Sequence, residues 1–300
     1  MMIRMKRARL IYNPTSGKEE FQRKLPEILD YFERAGYETS CHATKKAGDA
    51  TKAAESAVNH GFDLIIAAGG DGTLYEVVNG MAEKPHRPPL GIIPSGTTND
   101  FARAIGLPLR NIKKSCEMIV RGEAMPIDIG KVNNKYFINI AGAGALTDLT
   151  YEVPSKLKTI MGQLAYYIKG IEKLPFIRPS HVRIETDEMV IDEEIMLFLI
   201  ANSNSVGGLE RLAPSASLYD GKFDCLILKK TSFPEFLRIA THVIKGDHIK
   251  DPDVIYFQTK KLKASASSNV YINLDGELGG ELPIEFTALP KHLKVIMPKK

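Results

Sequence analysis

The sequence predicts an α/β N-terminal domain with a parallel sheet, followed by a mostly antiparallel β-sandwich domain with a few helices. Strand-like and helix-like segments alternate from residue 7 to residue 130, which is typical of a parallel sheet covered by helices on both faces. From about residue 130, strand-like runs follow one another with hairpin signals between them. Polar, Gly-bearing loops follow three of the N-terminal strands, at the edge where open α/β sheets bind ligands.

The N-terminal elements follow from the spacing of apolar residues. Short apolar runs predict strands, and apolar residues at helical spacing, such as Phe21, Leu25 and Ile28, predict helices. The predicted strands cover residues 8–12, 37–43, 63–68, 90–94 and 126–132. The predicted helices cover residues 18–35, 49–59, 74–81, 100–105 and 112–120.

The C-terminal part begins with a predicted hairpin turn at Asn133-Asn134, between strands at 127–132 and 136–141. We expect domains over residues 1–128 and 129–290, and leave open whether residues 291–300 return to the first domain as a last strand. Further strands are predicted at 182–185, 195–201, 223–228, 254–259, 270–274, 284–286 and 293–296, and helices at 156–174 and 233–244.

Composition is that of an ordinary globular protein, with 44% apolar and 25% charged residues in a chain of 300. The net charge of +4 is too small to indicate nucleic acid as a partner, and it suits an anionic membrane surface or an anionic cofactor. No apolar run is long enough for a transmembrane helix, and no signal peptide is evident. We therefore expect a cytoplasmic protein whose membrane contact is peripheral.

The three cysteines, Cys41, Cys116 and Cys225, are far apart in the chain. They show neither metal-ligand nor redox spacing. We expect buried thiols in a reducing cytosol.

The most informative loop is Gly69-Gly70-Asp71-Gly72-Thr73, between a predicted buried strand and a predicted helix. Glycines let the backbone approach an anion and present N–H donors to it, and the following helix start adds positive charge. A carboxylate in such a loop, Asp71, makes sense if a metal ion lies between it and the phosphates, or if it holds another catalytic group. The loop therefore predicts phosphoryl transfer.

Two other loops meet the same edge of the predicted sheet. Residues 13–17 end in Ser16-Gly17 but lack the spacing of a Walker A loop, so an ordinary turn is the alternative. Residues 94–103 offer hydroxyl and N–H groups at Thr97 and Thr98, although a simple helix cap at Asn99 or Thr98 explains part of this loop equally well. The spacing of Asp100 and Arg103 equally suits a surface ion pair.

Two turns in the C-terminal part also carry candidate residues. Residues 217–224 contain Asp220 in a turn that enters a strand. Residues 273–281 contain Asp275-Gly276, a common hairpin signal, followed by Glu277. Each turn is explained by local structure alone, and each places a carboxylate where a ligand site is also plausible.

Together the four loops resemble, in order and spacing, the bacterial soluble diacylglycerol kinases of the lipid-kinase and sphingosine-kinase-like superfamily. Residues 151–158, 166–170 and 202–205 add to this resemblance, which runs through essentially the whole chain. It implies a Rossmann-like parallel sheet of the NAD-kinase and diacylglycerol-kinase type. It also implies ATP-dependent phosphorylation of diacylglycerol to phosphatidic acid in a cleft between the two domains, and a homodimer.

The resemblance also implies roles for individual residues. Glu277 resembles the proton acceptor, and Asp71 lies near Mg²⁺ in the expected site. Asp220 resembles a ligand of a structural Mg²⁺, which backbone carbonyls near Ser217 and Lys222 complete. Lys18, Asp100, Arg103 and Asp220 resemble a network joining the two domains. The expected ATP contacts are Asn13, Pro14, Thr15, Ser16, Gly17, Thr44, Gly70, Asp71, Gly72, Thr73, Leu74, Tyr75, Glu76 and Thr97.

Some positions depart from the family pattern. Tyr75 stands where many relatives have Asn, Ala143 and Ala145 replace residues that are often smaller or polar, and Tyr219 stands where an acid is common. These departures bear on nucleotide fit and metal affinity more than on the reaction.

Other functions stay open beside diacylglycerol phosphorylation. Sphingoid bases and phosphatidylglycerol are alternative lipid acceptors. An alternative of another class is a regulator that binds nucleotide without turnover, and Tyr75 is the residue that would indicate it. NAD kinases and phosphofructokinases share the Gly-Gly-Asp-Gly loop, but the segments 97–100 and 275–277 fit the lipid branch better.

A basic and apolar segment is a candidate for membrane contact. A helix packed on its own domain, with solvated lysines, is the alternative. The basic residues of this segment are Lys156, Lys158, Lys169, Lys173 and Arg178.

Overall fold

The computed structural model describes residues 4–16, 20–109, 111–144, 179–204 and 211–299. The chain divides into two compact units, Met1–Ile127 with Lys291–Lys300, and Asp128–Pro290. The segment expected to contact a membrane, together with Gly17, Lys18 and Ala145, lies outside the described residues. Among the described residues, no helix has the length and apolar character needed to cross a membrane.

The first unit contains a parallel sheet of β1 (Lys6–Tyr12), β2 (Tyr37–Ala43), β3 (Leu64–Gly69) and β4 (Leu90–Pro94). Their order in the sheet is β4-β3-β1-β2. Every residue of β3 and β4 is buried, because helices cover both faces of such a sheet. The last strand, β15 (Ile284–Met297), adds Val295 in parallel beside Leu90 of β4.

Among its described residues, the first unit has five helices. Phe21, Ile28 and Phe32 of the first helix pack into a core with Leu10 and Leu64 of the sheet. The helices are α1 (Glu20–Arg34), α2 (Asp49–Asn59), α3 (Asp71–Met81), α4 (Asp100–Ala104) and α5 (Ile112–Arg121).

Helices α2 and α3 approach closely at Gly80. A Cβ atom at Gly80 would meet the carbonyl oxygen of Thr51 at 2.3 Å, so a side chain there would push the helices apart. This contact fixes α3, and with it the Gly-rich turn at its start.

The second unit is rich in antiparallel strands. The remaining strands are β5 (Glu123–Val132), β6 (Lys135–Phe137), β7 (Ile140–Ala143), β8 (Ser180–Glu185), β9 (Val190–Ala201), β10 (Phe223–Lys229), β11 (Val254–Thr259), β12 (Lys261–Ala266), β13 (Tyr271–Leu274) and β14 (Glu277–Glu281). Their order is β14-β13-β7-β9-β8-β12-β15, with β10 beside β9 and β11 beside β10. The long strands β5 and β15 have residues in both units.

Helix α6 (Phe233–Lys245) packs Ile239 against apolar residues of β9, β10 and β11. It begins with a capping box, in which Ser232 and Glu235 satisfy each other's backbone N–H groups. A short 3₁₀ helix, His248–Lys250, follows. The fold class expected from the sequence is confirmed, with parallel strands in the N-terminal region and antiparallel strands in the C-terminal one.

Several boundaries differ from those expected. Helix α3 begins at Asp71 rather than at residue 74, so part of the Gly-rich loop forms its first turn. Strand β12 was not expected, because it alternates exposed lysines with only Leu262 and Ala264 buried. The segment 136–141 divides into β6 and β7, and the strands expected at 284–286 and 293–296 are one strand, β15.

The expectation of three buried thiols is wrong for Cys41. This residue is exposed, whereas Cys116 and Cys225 are buried. Cys41 lies on β2, which pairs only with β1 among the described strands and is therefore less covered than the central strands.

Candidate active site

In the first unit, three loops meet at the carboxyl ends of β1, β3 and β4. The Asn13 amide donates to the carbonyl of Ala68 at 3.0 Å, and the Ser95 amide donates to the carbonyl of Gly69 at 2.9 Å. The Ser95 hydroxyl donates to the Ser16 hydroxyl at 3.0 Å. Residues far apart in sequence thus form one polar surface.

The Gly-rich turn touches the 94–100 loop backbone to backbone. A Cβ atom at Gly96 would meet the Cα atom of Gly70 at 2.4 Å. Gly70 is the N-cap of α3 and has no side chain to cap the first N–H groups of this helix, of which the Asp71 amide donates to its own carboxylate. These N–H groups and the positive end of the helix form a suitable place for an anion.

The Asp71 carboxylate accepts backbone hydrogen bonds from Asn99, Asp100 and Phe101 at the start of α4. Its burial outweighs these bonds and raises the pKa of Asp71 above its ordinary value. Asn99 is the N-cap residue of α4, with φ 52°, but its own side chain bonds Gly96 instead, at 3.0 Å to the amide and 2.7 Å to the carbonyl. The Asp71 carboxylate therefore links the Gly-rich turn to the start of α4 by hydrogen bonds.

The expected nucleotide-binding residues of the first loop lie at this surface. The Asn13 side-chain oxygen accepts from the amide and the hydroxyl of Thr15, at 3.0 and 2.9 Å. Thr44 follows β2 and is tied to β1, because its amide donates to the carbonyl of Tyr12 at 2.9 Å.

The expected ATP contacts on α3 differ in how their side chains pack. The side chain of Thr73 lies over Gly69, where a Cβ atom would meet its hydroxyl oxygen at 2.3 Å. Leu74 and Tyr75 have buried side chains. Thr97, in the 94–100 loop, is exposed.

Glu76, one of the expected ATP contacts, makes hydrogen bonds to a neighbouring helix. Its carboxylate oxygens accept from the amides of Gly48 at 2.8 Å and Ala50 at 2.9 Å, at the start of α2. Both oxygens therefore help to cap α2.

Arg103, on α4, has a buried Nε atom without a hydrogen-bond partner in the part of the chain that the structure describes. A buried donor without an acceptor is unfavourable by about 1–3 kcal/mol, and an anion would satisfy it. Asp100, expected in the same network, is partly buried at the start of α4.

In the second unit, Glu277 is the first residue of β14 and is exposed. It follows a two-residue hairpin turn, because Leu274 pairs with Glu277. Asp275 and Gly276 in this turn have φ angles of 51° and 98°, which Asp and Gly tolerate. The Asp275 carboxylate also accepts backbone hydrogen bonds from residues 138–140.

The turn expected to hold a cation also belongs to the second unit. Asp220 is exposed, and its Oδ1 atom accepts from the amide of Lys222 at 3.0 Å. The Ser217 hydroxyl accepts from the amide of Tyr219 at 3.3 Å. The buried carboxylate of Asp128 accepts from the amide of Gly221 at 2.6 Å, and this hydrogen bond holds the 217–222 turn against the interior of the unit.

The donor set of this turn suits a hard cation. One carboxylate with nearby backbone carbonyls is oxygen chemistry of the kind that Mg²⁺ accepts, with water as the remaining ligands. Within the described ranges, no group of three or more His, Cys, Asp or Glu residues is arranged for a metal ion. Any cation here therefore relies on Asp220 and on carbonyl oxygens.

A carboxylate that was not singled out from the sequence lies nearby. Asp224 is fully buried on β10, and the Tyr256 hydroxyl and the Gln258 side-chain amide donate to it. Burial raises the pKa of Asp224, and the negative charge of Asp220 adds to this effect.

Comparisons with known proteins agree with the loop pattern. A family model described as diacylglycerol kinase catalytic domain matches residues 7–132. A curated protein called diacylglycerol kinase, from Bacillus subtilis (strain 168), is 58% identical over 296 residues, covering 99% of this chain and 98% of that protein. The chain belongs to the diacylglycerol kinase family.

Other comparisons extend the family match to the whole chain. A model described as the YegS C-terminal NAD kinase beta sandwich-like domain matches residues 141–297. A diacylglycerol kinase of Staphylococcus aureus (strain MRSA252) is 51% identical, over 98% of this chain and 93% of that protein. The crystal structure of a candidate diacylglycerol kinase from Bacillus anthracis (strain Sterne) has a TM-score of 0.86 at 28% identity, over 99% of this chain and 97% of the other.

The resemblance expected from the four loops is therefore confirmed, and so is the enzyme class, a kinase of the diacylglycerol kinase family. The sequence did not predict that Asp275 and Asp128 would stabilise the two turns that carry Glu277 and Asp220. Asp275-Gly276 was recognisable in the sequence as a hairpin signal. The hydrogen bonds from residues 138–140 to the Asp275 carboxylate were not predictable, because they join positions far apart in the chain.

Proposed function

We propose that this chain transfers the γ-phosphate of ATP to the primary hydroxyl of diacylglycerol, giving phosphatidic acid and ADP. The observation that carries the proposal is the Gly70–Gly96 contact beside the start of α3, a helix end whose N-cap residue gives no side-chain cap and whose dipole favours an anion. The printed name of the relatives supports diacylglycerol as the acceptor.

In this proposal the first unit holds the nucleotide. Backbone N–H groups at the start of α3 bind phosphate oxygens, Thr97 and the 13–17 loop add donors, and Arg103 supplies a positive charge. When bound, Mg²⁺ neutralises phosphate charge, and Asp220 with the carbonyls of Ser217 and Lys222 would hold a further, structural ion. Asp71 keeps the 94–100 loop against the Gly-rich turn through its bonds to α4.

Glu277 is the proposed proton acceptor. As the hydroxyl oxygen of diacylglycerol forms its bond to the γ-phosphorus, the bond from phosphorus to the β,γ-bridging oxygen breaks and ADP leaves. The hydroxyl proton passes to the Glu277 carboxylate. Such a base contributes about 10²- to 10⁴-fold to the rate, and positioning and charge neutralisation supply much of the rest.

The test is transfer of labelled γ-phosphate from ATP and Mg²⁺ to diacylglycerol in mixed micelles that contain anionic lipid. Sphingoid base, phosphatidylglycerol and NAD serve as parallel acceptors. We expect labelled phosphatidic acid, at a rate that falls about 10²- to 10⁴-fold in Glu277→Gln. Asp71→Ala should also lose most of its activity.

Glu281→Gln is the matched control, because Glu281 is an exposed glutamate on the same strand as Glu277. It should retain the parent rate. Normal activity of Glu277→Gln would refute the assignment of the base. Labelling of a different acceptor would change the substrate but keep the mechanism, and nucleotide binding without any transfer would favour the regulator.

We further propose a homodimer in the cytoplasm that associates with the inner face of the membrane. Both proposals rest on the family resemblance. Weak, salt-dependent sedimentation with anionic vesicles and a dimer mass in analytical ultracentrifugation are the expected results. Failure to bind vesicles at low salt would contradict the membrane proposal, and a monomer mass would contradict the dimer.

A further inference from the structure

The turn before Glu277 is anchored by the carboxylate of Asp275. Its oxygens accept from the amides of Ile138 at 2.7 Å, Asn139 at 3.0 Å and Ile140 at 2.8 Å. The Asp275 amide in turn donates to the carbonyl of Ile140 at 2.9 Å. Hydrogen bonds to a carboxylate are short and about twice as strong as neutral ones, so this set holds the turn firmly.

A second side chain restrains the turn from within the hairpin. The Asn273 side-chain oxygen accepts from the amide of Gly276 at 2.8 Å, and Asn273 is itself mostly buried. With Leu274 paired to Glu277, the backbone on both sides of the two turn residues is fixed.

The segment that Asp275 holds is itself anchored in the interior of the second unit. Asn202 is fully buried, and its amide group donates to the carbonyls of Ile138 at 2.7 Å and Asp128 at 2.9 Å. Asp128 accepts from Gly221 in the turn that contains Asp220. A continuous series of hydrogen bonds therefore connects the Asp275 turn to the 217–222 turn.

We propose that Asp275 is a positioning residue for Glu277, which holds the glutamate in place for proton transfer. This inference rests on the proposed role of Glu277 as the proton acceptor. Glu277 is exposed and follows a two-residue turn, so its backbone position depends on how firmly that turn is held. A displacement of about 1 Å in a reacting group can cost about 100-fold in rate.

Asp275→Asn is the most informative variant. Asp275 has φ 51°, a left-handed conformation that Asn tolerates well, whereas Ala would add backbone strain. The asparagine oxygen can still accept one or two of the three N–H groups, but its amide group cannot accept the third. The turn is thus retained while its attachment to residues 138–140 is weakened.

The experiment is a double-mutant cycle of Asp275→Asn and Glu277→Gln in the full chain, with Asp187→Asn as matched control on the exposed β8–β9 turn. We expect Asp275→Asn to lower kcat by about 10- to 100-fold with little change in KM for ATP. The double variant should be no slower than Glu277→Gln alone, because a positioning residue has nothing to position once the base is lost.

Amide hydrogen exchange of residues 138–140 provides a readout that is independent of activity. Exchange should be faster in Asp275→Asn than in the parent and unchanged in Asp187→Asn. If exchange is unchanged in Asp275→Asn, or if the two substitutions multiply in the cycle, the positioning role is wrong while the proposed function stands. If Glu277→Gln keeps the parent rate, the base assignment fails, and the positioning role fails with it.

Discussion

Gly96→Ala is a direct test of the contact between the Gly-rich turn and the 94–100 loop. Gly96 does not have a positive φ, so alanine fits its backbone conformation and any effect is steric. The new Cβ atom would lie 2.4 Å from the Cα atom of Gly70 and 2.9 Å from the side-chain oxygen of Asn99.

The structure sets the size of the expected effect. Carbon atoms in contact lie about 3.5–4.0 Å apart, so the two loops must separate by about 1 Å. Overpacking of this kind costs about 1–3 kcal/mol. Because the displaced groups are those proposed to hold phosphate, a shift of this size should lower kcat/KM for ATP by about 10- to 100-fold.

The assay is steady-state kinetics with varied ATP, together with thermal unfolding of the same preparations. Gly122→Ala is the control, because its Cβ atom would meet the carbonyl oxygens of Met118 and Met297 at 2.5 Å, also in the first unit. It should lose stability to a similar extent while its KM for ATP changes much less. An unchanged kcat/KM in Gly96→Ala, or an equal loss in both variants, would refute the reasoning.

Three further predictions concern named side chains. Burial raises the pKa of Asp71 in the folded state, so its contribution to stability is lost as pH rises above its ordinary value of 3.8 and through the raised one, and over that rise the melting temperature of Asp71→Asn should fall less than that of the parent. Identical pH dependence in calorimetry would contradict this. Glu76→Gln should lower the free energy of unfolding by about 1 kcal/mol in urea titration and leave KM for ATP unchanged; a raised KM with unchanged stability would restore Glu76 as a nucleotide ligand. A thiol reagent should react with Cys41 alone in the folded protein and with all three cysteines after denaturation. The reason is that Cys116 and Cys225 are buried, and burial raises the pKa of Cys116 to about 12. Reaction of all three cysteines in the folded state would be inconsistent with the burial of Cys116 and Cys225.

The elements of the first unit were largely predictable because β3 and β4 are continuous apolar runs and the helices carry apolar residues at helical spacing. Strands β1, β2 and β4 lie within one or two residues of the expected ranges. Strand β12 was missed because its signal is weak, with Leu262 the one large buried side chain among lysines and small residues. Strand β15 was expected as two strands because the polar stretch at 290–292 interrupts its apolar pattern.

The candidate site was predictable only as a set of loops. The Gly-rich loop stood out because a turn explains its glycines but not Asp71 between them, whereas the role of Glu277 came from the family resemblance. The partners of Asp71 at α4 and of Glu76 at α2 were not predictable, because those amides belong to other segments of the chain. Asn99 shows the same limit, since it occupies the N-cap position but bonds Gly96 instead of capping α4.

By itself, the sequence determined the order of strands and helices in the first unit, the position of the Gly-rich turn and the hairpin at Asp275-Gly276. Each of these depends on local chemistry, namely apolar periodicity, the freedom of glycine and the few residues that tolerate positive φ. Only the tertiary structure decided what three of the carboxylates do. Asp71 caps α4, Glu76 caps α2 and Asp275 holds residues 138–140. The physical reason is that a carboxylate bonds whichever N–H groups folding brings within about 3 Å, and strand pairing and helix packing bring them there from distant parts of the chain.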